Sequence, residues 1–141
     1  MTHIGGCHCG NISVQLESDI APGDFEVRAC QCSFCRKHNG TAVADPAGHL
    51  TIRVADEAQL NRYTFGLGTA EFLVCQTCGC YTSAVTTGTD DPRAIVIVSI
   101  LEDAKAFTSP PIPVDYDNED RDGRIGRRKD RWMPVEVVVA G

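Results

Sequence analysis

The 141-residue chain has no apolar run long enough to cross a membrane. Its longest, AIVIVSIL at 94–101, is strand-sized and falls far short of the roughly 20 residues a spanning helix needs. The first ten residues, MTHIGGCHCG, have neither the basic start nor the apolar stretch of a secretory signal, so a cytoplasmic protein with reduced thiols is expected. Positive charge is in the minority, 13 Lys and Arg against 19 Asp and Glu, which gives a net charge of −6. That balance argues against general nucleic-acid binding. The one basic stretch, RIGRRKDR at 124–131, follows the acidic DYDNEDRDG and reads as a solvated, mixed-charge loop. There is no internal repeat, no pattern of a long amphipathic helix, and no length to spare beyond one domain over 1–141.

What the sequence does have is short alternating stretches. In NISVQLES (11–18), Ile12, Val14 and Leu16 share a face, and in DFEVRAC (24–30) Phe25, Val27 and Ala29 oppose Glu26, Arg28 and Cys30. Cys30 therefore leaves its strand on the polar face, a poor place for a packing cysteine and a reasonable one for a ligand. Strands are also expected at the start of TAVADPAGHL, in LTIRV (50–54), and in a hairpin of NRYTF and AEFLVC around a Gly-rich turn. CYTSAVT (80–86), RAIVIVSI (93–100) and WMPVEVVV (132–139) complete the set, the last as an edge strand because of Pro134. ADEAQL (55–60) predicts one helical turn capped by Asp56, and residues 109–131 a long surface loop. The fold class expected is mainly β, with short helical turns.

Eight cysteines fall into three clusters: Cys7 and Cys9; Cys30, Cys32 and Cys35; and Cys75, Cys78 and Cys80. In a reducing compartment such spacing reads as metal ligation rather than disulfide pairing. Gly5, Gly6, Gly10 and Gly79 beside them let the backbone turn so that thiolates converge. Cys7 and Cys9 with Cys75 and Cys78 would make a complete four-thiolate zinc site, leaving Cys30, Cys32 and Cys35 as a set of three, with Cys80 over. Spacing alone leaves the partition open, since Cys7 and Cys9 could pair instead with the central cluster.

The ordered motifs GGCHCG, CQCSFCRKHNG and FLVCQTCGCY, spanning residues 5–81, resemble the glutathione-dependent formaldehyde-activating enzyme family, which includes centromere protein V-like proteins. The resemblance implies a zinc-stapled β-tent with two zincs per chain. The structural zinc would be held by Cys7, Cys9, Cys75 and Cys78, and a catalytic, more labile zinc by Cys30, Cys32 and Cys35. The implied activity joins formaldehyde to glutathione as S-hydroxymethylglutathione, formally a carbon–sulfur lyase reaction, with a small thiol such as glutathione as partner. The alternative is a non-catalytic, zinc-stapled binding module, which predicts no pocket.

Three protein thiolates leave one zinc position for substrate. Arg36 and Lys37 could supply cations beside that set, although Lys37 reads equally as solvated. His38 could orient substrate or shuttle a proton, or be structural. Gly40 suits a turn or a helix C-terminus. Trp132 and Tyr81 could line a pocket, although aromatics in a small β domain are more often core. Cys80 departs from the family pattern: it either completes the central site as a fourth thiolate or is a free thiol.

Overall fold

The computed structural model describes residues 1–140. Its strands are β1 (Thr2–Gly6), β2 (Ile12–Glu17), β3 (Arg28–Cys30), β4 (Ala42–Val43), β5 (His49–Val54), β6 (Leu60–Tyr63), β7 (Ala70–Cys75), β8 (Tyr81–Thr86), β9 (Arg93–Ile97), β10 (Ile112–Val114) and β11 (Met133–Val139). Helix α1 (Ser33–His38) lies between β3 and β4, and helix α2 (Arg121–Arg131) between β10 and β11. The chain is mainly β, as expected. No helix among the described residues is long and apolar enough to cross a membrane.

The strands form two leaves that share β11. In the first, β1, β2 and β5 pair antiparallel in turn and β11 lies parallel to β5. Register puts Ile12 opposite Val54, Val14 opposite Ile52 and Leu16 opposite Leu50, all six side chains buried. Each such side chain removed from water contributes about 1.5–3 kcal/mol. The second leaf is the antiparallel run β6–β7–β8–β9, continued past β9 by β4, β3 and β10. The helical turn capped by Asp56 is present, its side chain accepting the Ala58 N–H at 3.0 Å.

Three readings are corrected. Pro134 is not on a sheet edge. Met133 and Pro134 pair with β9 and the residues from Val135 onward pair with β5, so the proline sits where the strand changes partners. Residues 109–131 are not one loop, because Ile112–Val114 adds a parallel strand beside β3 and α2 follows. RIGRRKDR is helical, started by Asp120, whose carboxylate accepts the Gly123 N–H at 2.7 Å. Three of its four arginines are drawn out of solvent: Arg124, Arg127 and Arg128 share one face at helical spacing and Arg128 is buried, while Arg131 is exposed.

Gly5 and Gly6 serve close approach within β1 rather than a turn. A Cβ on Gly5 would overlap the Ile100 carbonyl oxygen and come within 2.7 Å of Leu101 Cα. The left-handed turns belong to Gly10 (φ 86°) and Gly79 (φ 80°). Gly5→Ala should therefore destabilise the protein by about 1–3 kcal/mol in urea denaturation. Gly126→Ala, in open space inside α2, should instead add about 0.5–1 kcal/mol.

Candidate metal centres and cleft

The first thiol cluster is built from two tight turns far apart in sequence. Between β1 and β2 the Cys7 N–H donates to the Ile12 carbonyl and the Gly10 N–H to the Cys7 carbonyl. Between β7 and β8 the Gly79 N–H donates to the Cys75 carbonyl and the Cys75 N–H to the Cys80 carbonyl. These turns bring the sulfurs of Cys7, Cys9, Cys75 and Cys78 within 4.8 Å of one another. The Cys7–Cys9 and Cys9–Cys75 separations are 3.7 and 3.5 Å. A tetrahedron with zinc–sulfur arms of ~2.3 Å has edges of ~3.8 Å, so the set matches the size zinc needs. Backbone N–H groups point at the sulfurs as well. The Ile12 N–H reaches Cys7 at 3.2 Å, and those of Cys9 and Cys80 hold the Cys78 thiol down to about 5. All eight cysteines are free of disulfides.

The second cluster is Cys30, Cys32 and Cys35, also within 4.8 Å of one another. Cys30 ends β3, Cys32 is the N-cap of α1 and accepts the Cys35 N–H at 3.4 Å, and Cys35 lies in the helix's first turn. Phe34 fixes that helix against the β6–β7 hairpin and the start of β8, its ring 5.0 Å from those of Phe72 and Tyr81 and 5.5 Å from that of Phe65. Hydrogen bonds from Cys30 and Cys35 draw the Cys32 thiol down, and the same contacts push the other two up. One thiolate thus shares the protons of its neighbours, and full ionisation of the set calls for a cation. Behind it lies the buried Tyr81 hydroxyl, which has no hydrogen-bond partner. Burial, then the charge of Cys35, raises its pKa, so it keeps its proton. Both donor sets fit zinc.

Cys80 belongs to neither set; its neighbours are His8, Cys78 and Cys7, beside the four-thiol cluster. Lys37 is exposed and outside the cleft, while Arg36 lines it with its Nε donating to the Gln31 carbonyl at 3.0 Å. His38 packs on the Phe34 and Tyr81 rings, its Nδ1 2.9 Å from the Phe34 carbonyl. Gly40 follows the helix, and the left-handed residue is Asn39 (φ 51°).

The three-thiol set opens on a cleft of about 550 Å³; among the four-thiol cysteines none lines it. The lining continues from Val114, which ends β10 beside Cys30, through Tyr116, Asp117 and Glu119 into α2 and Trp132. Here lie the site residues that the sequence reading missed. Arg124 and Arg127 share Glu119, with Arg127 Nε 2.7 Å and Arg124 Nε 3.3 Å from its carboxylate. The signal was present as arginines at i, i+3 and i+4 behind a capping Asp120, but with Ile125 as its one large apolar side chain the segment carries no apolar stripe.

The sequence model of the family described as glutathione-dependent formaldehyde-activating enzyme matches residues 2–113, a stretch that includes all eight cysteines and stops before α2. Among solved structures, a crystal structure of a Rhodobacter sphaeroides protein is similar, with 32% sequence identity and a TM-score of 0.58. The match covers 79% of this chain and 99% of that one.

The pairing of Glu119 generates a pH dependence. The hydrogen bond from Arg127, and then its charge, hold this carboxyl below its ordinary 4.5, with Arg124 adding to the effect. A depressed carboxylate stabilises the fold above its unfolded pKa, and that stabilisation is lost as pH falls through the folded value. Glu119→Gln should thus lower the melting temperature at pH 7, and the gap to wild type should close as the pH falls below about 4.5.

Proposed function

The chain belongs to the glutathione-dependent formaldehyde-activating enzyme family, and from that membership we propose that it joins a small thiol to an aldehyde at the three-cysteine end of the cleft. The observation that carries this reading is the contrast between the two thiol sets. One is complete with four donors and stands off the cleft; the other has three and opens into it. Catalytic zinc sites keep such a vacancy, and structural ones do not. A cleft of this size also argues against a purely structural module, for which no pocket is expected.

Cys7, Cys9, Cys75 and Cys78 would hold the structural zinc, whose binding contributes folding free energy. Cys30, Cys32 and Cys35 would hold the second. Bound there, zinc lowers the pKa of a coordinated thiol and so supplies a thiolate at neutral pH. The chain's own residues do the rest. Phe34 holds α1, and with it Cys35, against the sheet. Phe65, Phe72 and Ile95 keep one wall of the cleft apolar, which favours bringing the two reactants together out of bulk water. Arg36 adds positive charge beside the thiols. In the reaction, a sulfur–carbon bond forms as the carbonyl π bond opens, and the thiol proton ends on the new hydroxyl oxygen. Glutathione and formaldehyde are the pair the family points to, and S-hydroxymethylglutathione the product.

Metal content and rate together test this. Wild-type protein purified with zinc should hold two equivalents, and Cys32→Ser should keep its fold and hold one. Wild type should consume glutathione and formaldehyde faster than the spontaneous reaction, and Cys32→Ser should not. Two zincs in the variant would overturn the metal assignment, and an unaccelerated wild type the reaction.

A further inference from the structure

The cleft concentrates cations in an acidic protein. Five arginines line it (Arg28, Arg36, Arg124, Arg127 and Arg128) against two carboxylates, Asp117 and Glu119, although the whole chain carries −6. Most of these arginines are already occupied. Arg124 and Arg127 share Glu119, with Arg127 also 3.5 Å over the Tyr116 ring. Arg36 is bonded to the Gln31 carbonyl, and Arg28 has Glu26 at 3.6 Å.

Arg128 differs from all of them. It is only 8% exposed, and among the described residues no carboxylate stands within ion-pair distance of it. Its NH1 donates to Thr69 Oγ1 at 2.7 Å and its guanidinium lies 4.7 Å over the Trp132 ring. Its Nε is buried with no hydrogen-bond partner. Burial lowers its pKa to about 10, which leaves it charged at neutral pH. A buried charge with a free donor is costly unless an anion completes it. Thr69 and Trp132 hold the planar fork in place, and such a fork matches a carboxylate.

We propose that Arg128 is the receptor for a carboxylate of the substrate, so that the cleft selects thiols that carry a carboxylate. The inference rests on the reading of the cleft as a thiol site and adds a specificity-determining residue from α2, outside the family match. The sulfur would lie toward Cys30, Cys32 and Cys35, and the acid under α2. Two anchors, one on the β3–α1 turn and one on α2, would orient the thiol without help from the aldehyde.

Trp132 is the chain's one tryptophan and lies against Arg128, so its fluorescence reports occupancy at this end of the cleft. Zinc-loaded wild type is titrated with glutathione, with its diethyl ester, and with S-methylglutathione, which keeps both carboxylates but has no free thiol. Glutathione should bind about tenfold or more tightly than the ester. S-methylglutathione should also retain its preference over the ester. Arg128→Met should weaken both acids by about tenfold or more and leave the ester unchanged. Arg128→Lys keeps the charge and should retain part of the preference.

Equal binding of acid and ester by wild type would overturn the proposal, and that comparison needs no substitution. Equal weakening of acid and ester in Arg128→Met would do the same, since it would mark a packing role. Loss of one zinc in that variant would show that Arg128 balances the thiolates instead. A wild type that prefers the acids yet gives no rate acceleration sinks the proposed reaction and leaves the carboxylate site standing. Acceleration without acid preference sinks the carboxylate site alone.

Discussion

Cys9 and Cys75 are 66 residues apart in sequence and 3.5 Å apart at sulfur, and most of the molecule is arranged around that approach. Two turns have to meet there, each tight enough for a left-handed glycine and each directing backbone N–H groups at the thiols. Bringing four ionisable sulfurs together is unfavourable on electrostatic grounds once they lose their protons, because like charges at this distance repel. A divalent cation reverses that sign, and the same approach then closes a long loop. A metal bound there would tie the first leaf and the β7–β8 hairpin at one corner and leave the three-thiol turn free of any role in joining them.

The second half of the design is electrostatic. The chain is acidic overall, yet it gathers arginine along one face of α2 and presents that face to the cleft. Glu119 neutralises two of the three arginines on this face and orders the strand-to-helix corner. Thr69 and Trp132 hold the third without neutralising it. A field made in this way is local, surrounded by a surface of opposite sign, and it is strongest where the walls exclude water.

How far the sequence revealed this depended on the kind of signal each part carried. Cysteine spacing and period-two alternation are strong local signals, and β2, β5 and the three thiol turns were legible from them. Asp56 showed its cap because capping is decided within three residues. Pro134 misled, since an edge position and a change of strand partner relieve the missing N–H equally well, and only tertiary pairing tells them apart. Gly5 misled for a similar reason: it is needed by the carbonyl of Ile100, far along the chain, and not by its own dihedral angle. The helix α2 was hidden because its inward face is arginine, and a rule that searches for apolar stripes passes over a buried cationic one. Cys80, read from its strand parity, could complete the central thiol set or stay free; its place beside His8 and Cys78 depends on how the two turns dock.

The position of β11 bears on how the polypeptide acquires this shape as it leaves the ribosome. Every other strand precedes it in synthesis, yet β11 sits between β5 and β9 and is the seam of the two leaves. Until it emerges, β5 presents an unpaired hydrogen-bonding edge, β9 lacks a partner on that side at Arg93 and Ala94, and the apolar faces of both leaves stay open. Pairing across such a long sequence separation is slow to nucleate. The nascent chain is thus obliged to wait with its edges bare, and during that interval it is most exposed to pairing with the wrong neighbour.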